Sequence, residues 1–133
     1  MSANSVAQSK HDKIKALKVS FITERLNLTT EEAQEFWPLY NAHERNTSKI
    51  KYKELKYIRS EIKQNSNSLT DAEANILLEK LITAENKLHT EHDAFISKLR
   101  SVISSKKIIL LKVAEEEFKK TLFEEYKRRG RRH

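Results

Sequence analysis

The residues best placed to do chemistry are three histidines, His43, His89 and His92. Asn65-Ser66-Asn67-Ser68 is a polar break between two long stretches of helical spacing, and a loop this short joins antiparallel neighbours. His43 lies about as far before Asn67 as His89 and His92 lie after it, so folding back sets all three at one height. His43 and His92 fall on facing stripes, and His89 stands one turn from His92 at the stripe's edge. With Glu44 or Glu91 beside them they make a candidate nitrogen and oxygen site for zinc or a similar divalent ion. The plainer reading is three half-buried histidines satisfied by Glu, Thr or water in a thin interface.

Other site chemistries lack their residues. The chain has no Gly-rich phosphate loop, no nucleophile elbow and no HExxH. It contains no Cys, which removes thiolate ligands, disulfides and Cys nucleophiles. A di-iron bundle needs Glu-x-x-His on two helices, but Tyr40, Asn86 and His89 stand three residues before His43, His89 and His92. No catalytic residue and no cofactor is expected beyond the candidate metal, and the chain reads as a non-enzyme.

The elements that must hold these residues are helices. One Gly and one Pro in 133 residues leave little turn chemistry for a sheet, and 34% of the chain is charged against 38% hydrophobic. Narrow apolar stripes with broad wet faces suit a helical hairpin or thin bundle. The first helical pattern runs from Lys10 to Asn27 through Ile14, Leu17, Phe21, Ile22 and Leu26, with Asn27 as a left-handed cap. The second runs from Thr29 or Thr30 to about Gln64, through Phe36/Trp37, Tyr40, His43, Thr47, Ile50, Glu54/Leu55, Ile58 and Ile62. The third opens at Leu69-Thr70 and carries Leu77/Leu78, Leu81, Ala84, Leu88, His92, Phe95 and Leu99. Ser104-Ser105 marks a break, and a fourth carries Ile108-Ile109-Leu110-Leu111, Ala114, Phe118, Leu122 and Tyr126. That four-residue apolar run should be covered on more than one side.

Two helix starts share a pattern. Leu28-Thr29-x-x-Glu32-Ala33 and Leu69-Thr70-x-x-Glu73-Ala74 both have capping-box spacing, in which a Thr hydroxyl and a Glu carboxylate satisfy early N–H groups. Pro38 follows Phe36 and Trp37 inside the second helix, where it lacks an N–H and crowds the carbonyl of Gln34, so a kink is expected there. The fold class expected is all-α: a long antiparallel hairpin with a kinked second helix and flanking terminal helices.

By length this is one domain, with residues 1–9 as a disordered terminus or signal-peptide remnant, 10–127 as the helical body and 128–133 as a basic tail. Ser5-Val6-Ala7 fits the small-x-small cleavage pattern, although no apolar stretch precedes it. The formal net charge of +7 favours anionic partners or surfaces. The tail, with Lys127, Arg128, Arg129, Arg131 and Arg132, could meet nucleic acid or lipid head groups. No RNA-binding aromatic platform accompanies it, so a solvated end is favoured and no specific nucleic acid is expected. No segment is apolar enough to span a membrane.

Leu28–Glu32 and Leu69–Glu73 resemble the paired LTxxQ motifs of the Spy/CpxP family of periplasmic stress proteins, with Glu in each Gln position. Glu31–Asn41, including Phe36-Trp37-Pro38-Leu39-Tyr40, together with Lys13–Lys18, Phe21–Leu28, Val102-Ile103-Ser104 and Ala114-Glu115, more closely resembles a Bacteroidetes family labelled sensors of ECF-type sigma factors. The resemblance implies export to the periplasm, a hooked helical hairpin and a homodimer. It also implies a role in binding a protein partner, as a sensor or regulator, or in binding unfolded clients, as a chaperone. The family's His-rich metal motifs do not map onto this chain. A cytoplasmic nucleic-acid-binding helical protein is the remaining alternative.

Overall fold

The computed structural model describes the backbone of residues 2–131 and the side chains of residues 9–130; these form helices and no strand. The elements are α1 (Ser2–Leu26), α2 (Thr30–Lys49), a π-helical segment (Ile50–Leu55), α3 (Lys56–Asn65), α4 (Asp71–Leu99) and α5 (Ser105–Arg131). Since α2, the π segment and α3 are continuous, the described residues form the four helices the spacing predicts, and the fold is all-α. Residues 2–9, expected outside the first helix, are part of it, because no Gly or Pro interrupts propagation from Lys10 backwards. The side chains of Ser5 and Ala7, the candidate cleavage signature, lie outside the described residues.

Contacts gather into two units, one of Met1–Gln34 with Ile103–His133, the other Glu35–Val102. In the first, α1 and α5 lie antiparallel: Phe21 meets Phe118 with ring centroids 5.6 Å apart, and Arg25 reaches Glu117 at 2.6 Å. Ile22 and Leu26 of α1 and Ile108, Leu111, Ala114 and Phe118 of α5 are buried.

The corner after α1 is built from local chemistry. Asn27 takes φ 50°, a left-handed turn that Asn tolerates well. It lets the Leu28 N–H donate to the Thr23 carbonyl at 3.2 Å and the Asn27 N–H to that of Glu24 at 3.1 Å. The expected capping box follows, with the Glu32 N–H donating to Thr29 Oγ1 at 3.1 Å and the Thr29 N–H to Glu32 Oε1 at 2.9 Å. Lys107 then ties α5 to this corner, donating to Glu32 Oε1 at 2.6 Å and to the Asn27 carbonyl at 2.9 Å. That ammonium, with the Thr29 backbone, holds the Glu32 carboxyl below the usual range. At the other break, the Lys107 N–H donates to Ser104 Oγ, capping α5 where the serine pair predicts a start.

The second unit is the hairpin. Tyr40 and His43 of α2 meet Phe95 of α4, while Glu54 pairs with Lys87 and Ile50, Leu55 and Ile58 cluster with Ala84, so the two arms run antiparallel. Ile62, Leu81 and Leu88 pack against that cluster. Asp71–Leu99 opens on the second capping box, Thr70 accepting from the Glu73 N–H and Glu73 from the Thr70 N–H. Thr70→Ala should lower unfolding free energy by about 1 kcal/mol in urea titrations, the typical cost of losing such a cap.

A change of helical geometry lies beyond the proline. The assignment of α2 continues through Pro38. Pro38 and Gln34 are both exposed, so water can serve the carbonyl that lost its partner. The departure comes at Ile50–Leu55, where the Lys56 N–H bonds back to the Lys51 carbonyl, five residues earlier. Its cause is register. Buried Phe36, Tyr40, Thr47 and Ile50, with half-buried His43 among them, recur at alternating steps of four and three, which would next place Glu54 and Tyr57 against α4. The apolar residues instead stand one place later, at Leu55, Ile58 and Ile62. A π turn accommodates one additional residue and returns the stripe to its partner.

Candidate functional site

The three histidines do not converge on a metal site. His43 lies flat against Phe95, with centroids 4.1 Å apart and planes 8° apart, and its centroid is 5.9 Å from that of His92. His89 is exposed and places Nε2 3.2 Å from Asp93, one turn along its own helix. Among the described residues no group of three His, Cys, Asp or Glu side chains is arranged to hold a metal ion. Equal height along the hairpin was not enough: a ring stacked on Phe95 and one turned to its own helix's outer face cannot share an ion.

His43 instead belongs to an aromatic interior. Phe36 and Trp37 meet edge to face at 4.8 Å, Phe36 and Tyr40 lie 5.5 Å apart, and Tyr40 meets Phe95 at 6.0 Å. The Nδ1 of His43 is buried with no protein hydrogen-bond partner. Burial, and secondarily the charge of His92, push its pKa below the ordinary value against the opposing pull of Glu44 and Glu91. The folded state thus prefers neutral His43. Its contribution to stability is complete above the unfolded pKa of about 6.5 and is lost as pH falls from there through the folded value. Urea midpoints should fall between pH 7.5 and 5.5, and His43→Phe, which cannot titrate, should reduce that fall.

The outward faces of the hairpin carry the groups that could meet a partner. Lys56, Arg59 and Lys63 recur on α3 at steps of three and four and are all exposed, and exposed Lys49 and Tyr52, the latter by 69%, precede them across the π turn. The described ion pairs of this unit, Lys87–Glu54 and His89–Asp93, leave that face out. Along another edge Lys53, Tyr57, Lys80 and Lys87, together with Glu54 and Glu79, line a groove of about 430 Å³, and a second of about 410 Å³ shares Thr83 and Lys87 with it. Exposed Ile76 stands one turn before Lys80 on α4, while exposed Leu78 and Ile82 lie on the opposite flank of that helix. Cations beside exposed tyrosines and aliphatic side chains can hold acidic and amphipathic segments of another chain. A search for titratable clusters passes these residues over; their signal is the helical recurrence of cation and aromatic at positions outside the apolar stripe.

The basic tail also differs from expectation. α5 continues to Arg131, so Lys127, Arg128 and Arg129 are helical rather than a loose end. Arg128 reaches both oxygens of Glu125 at 2.8 and 2.7 Å, with Arg129 at 3.6 Å from the same carboxylate, and these guanidinium groups lower the Glu125 pKa. Lys127 Nζ sits 4.8 Å over the Phe123 ring. Each of these contacts is to a neighbour one turn back on the same helix. The Arg131 side chain and Arg132 lie outside the described residues. No described helix is long and apolar enough to cross a membrane. Compared with known protein families, with curated proteins and with solved structures, the chain finds no match in any of the three.

Proposed function

We propose that this chain is a non-enzymatic, exported stress sensor or regulator whose hairpin binds a protein partner through its basic outer face. The observation that carries the reading is the exposed row of Lys56, Arg59 and Lys63 on α3, with exposed Tyr52 preceding it. An unopposed row of cations on a rigid helix offers an acidic partner both attraction and register. The paired LTxxE helix starts support the periplasmic resemblance, and both act as helix caps in this fold. The test is photo-crosslinking from position 52 in cells of the source organism under envelope stress. A single discrete adduct, lost in Lys56→Glu/Arg59→Glu, is expected; a diffuse ladder unaffected by the charge reversal would refute a specific acidic partner.

A second reading, an ATP-independent chaperone, has its own observation: exposed Tyr57, Ile76, Leu78 and Ile82 stand among lysines on the hairpin. Unfolded clients meet such mixed surfaces through many weak apolar contacts. Suppression of aggregation of a chemically denatured client at near-stoichiometric ratio would favour this reading over the first.

A further inference from the structure

The charge of the chain is unevenly spread. Met1–Gln34 and Ile103–His133, the unit of α1 and α5, hold 15 Lys and Arg against 9 Asp and Glu, while Glu35–Val102 hold 11 against 10. Nearly all of the net +7 therefore belongs to the first unit. Within it, α1 covers one face of α5 and leaves another open. Of the run Ile108–Leu111, expected to be covered on more than one side, Ile108 and Leu111 are buried while Ile109 is 64% exposed. At the helical turn of about 100° per residue, Lys112, Lys119, Lys120 and Lys127 share one arc of about 100° with Ile109 and Phe123. All six are exposed. Glu116 is the one acid in that arc. Glu117, Glu124 and Glu125 fall outside it, where Glu117 pairs with Arg25 and Glu125 with Arg128 and Arg129.

We infer that this face of α5 is a membrane-docking surface, on which the helix lies in the plane of a bilayer containing anionic lipids. Four lysines against one acid supply the charge complementarity, since lipid phosphates attract ammonium groups held near the surface. Ile109 and Phe123, the latter 59% exposed, supply the apolar part. Each stands between lysines whose long stems let the ammonium groups stay at the phosphates while the apolar side chains go deeper. Tyr126, 78% exposed at the edge of the arc, adds an aromatic of the kind that rests at head-group level. From Ile109 to Lys127 the face runs roughly 27 Å at 1.5 Å per residue, long enough to rest along a surface. A nucleic acid would also attract the lysines, but it would use an exposed aromatic ring as a stacking platform. Lys127 Nζ lies 4.8 Å over the Phe123 ring and occupies that face. The ring edge and the Ile109 side chain remain open to acyl chains. The docking face lies on α5 and the proposed partner-binding row on α3, so neither rests on the other.

Flotation of the full chain with lipid vesicles tests it. Vesicles of phosphatidylglycerol mixed with phosphatidylcholine should bind about tenfold or more tightly than phosphatidylcholine alone, a difference that shrinks as salt rises. Lys119→Glu/Lys120→Glu should weaken binding to the mixed vesicles about tenfold or more. Phe123→Ser should weaken it severalfold, and helical circular dichroism should be unchanged in both variants, since all three positions are exposed. The chain has no Cys, so a single one can carry an environment-sensitive fluorophore. On mixed vesicles the labelled Ile109→Cys variant should shift to the blue, and labelled Thr121→Cys, exposed on another flank of α5, should not. Equal affinity for the two vesicle types, binding indifferent to the lysine reversal or to Phe123→Ser, or a blue shift absent at position 109 or equal at both positions would each overturn the assignment. Tighter binding to a poly(U) oligonucleotide than to the mixed vesicles would assign the lysines to nucleic acid and overturn it as well.

Discussion

Deleting Lys53 is expected to leave the hairpin folded, with a thermal midpoint equal to or above that of the wild type, whereas deleting Glu85 should unfold it. Both residues are outside the buried stripes. The difference lies in what each deletion does to register. Lys53 sits in the π segment, whose additional residue carries the apolar stripe from Ile50 to Leu55. Its removal lets Leu55, Ile58 and Ile62 follow Ile50 at ordinary α spacing, so the widened turn is no longer needed. Amide exchange across the segment should slow as regular hydrogen bonds replace the wide ones. Glu85 lies in regular α4, and its loss turns everything after it by about 100°. Leu88, Phe95 and Leu99 would then leave the line of Leu77, Leu81 and Ala84. Exposing Phe95 and Leu99 alone costs about 2 kcal/mol each or more, a large share of the roughly 5–15 kcal/mol that holds a domain folded. A cooperative melt in the Glu85 deletion, or loss of folding in the Lys53 deletion, would show that the π turn is not a register device.

Phe95→Ala should cost about 3–5 kcal/mol in urea unfolding, typical for removing a buried phenyl ring. Phe95 is 5% exposed, lies flat on His43 and meets Tyr40 at 6.0 Å. The loss should also move the His43 pKa. Burial is the first cause of its depression, so removing the ring that covers one face should raise the value towards the ordinary one, as read by the imidazole proton shifts in an NMR titration. A destabilised variant with an unmoved His43 titration would assign the depression to His92 instead of to the aromatic packing.

The periodicity of Phe36, Tyr40, Ile50, Ile58, Ala84, Phe95 and Leu99 was enough to place the hairpin and its buried face, because burial of one stripe is the dominant force on a helix this polar. The two Thr-x-x-Glu starts and Asn27 were equally legible, since caps and left-handed turns are chemistry between near neighbours. The step from Ile50 to Leu55 could be seen in the sequence as a stripe that slips by a residue. How the slip is absorbed was not visible there: an α-helix could drift, supercoil or insert a wide turn, and only packing against Ala84 decides among them.

Function was less legible because it depends on which side chains meet across elements. The histidines share a height, which sequence position determines, but a metal site needs ring nitrogens to converge, and the stacking of His43 on Phe95 together with the turn of His89 towards Asp93 prevents it. The tail residues Arg128 and Arg129 are basic in any context; only the structure shows them paired with Glu125, one turn earlier. Ile109 stands in the sequence inside the same apolar run as Ile108 and Leu111, and only the packing of α1 distinguishes it, leaving it 64% exposed. By itself the sequence determined the helices, their caps and their apolar stripes, all of which rest on contacts within a few turns of one helix. Only the tertiary structure decided which stripe is covered, which histidine is buried and which cations remain on the outer face, because those outcomes depend on the neighbouring helix.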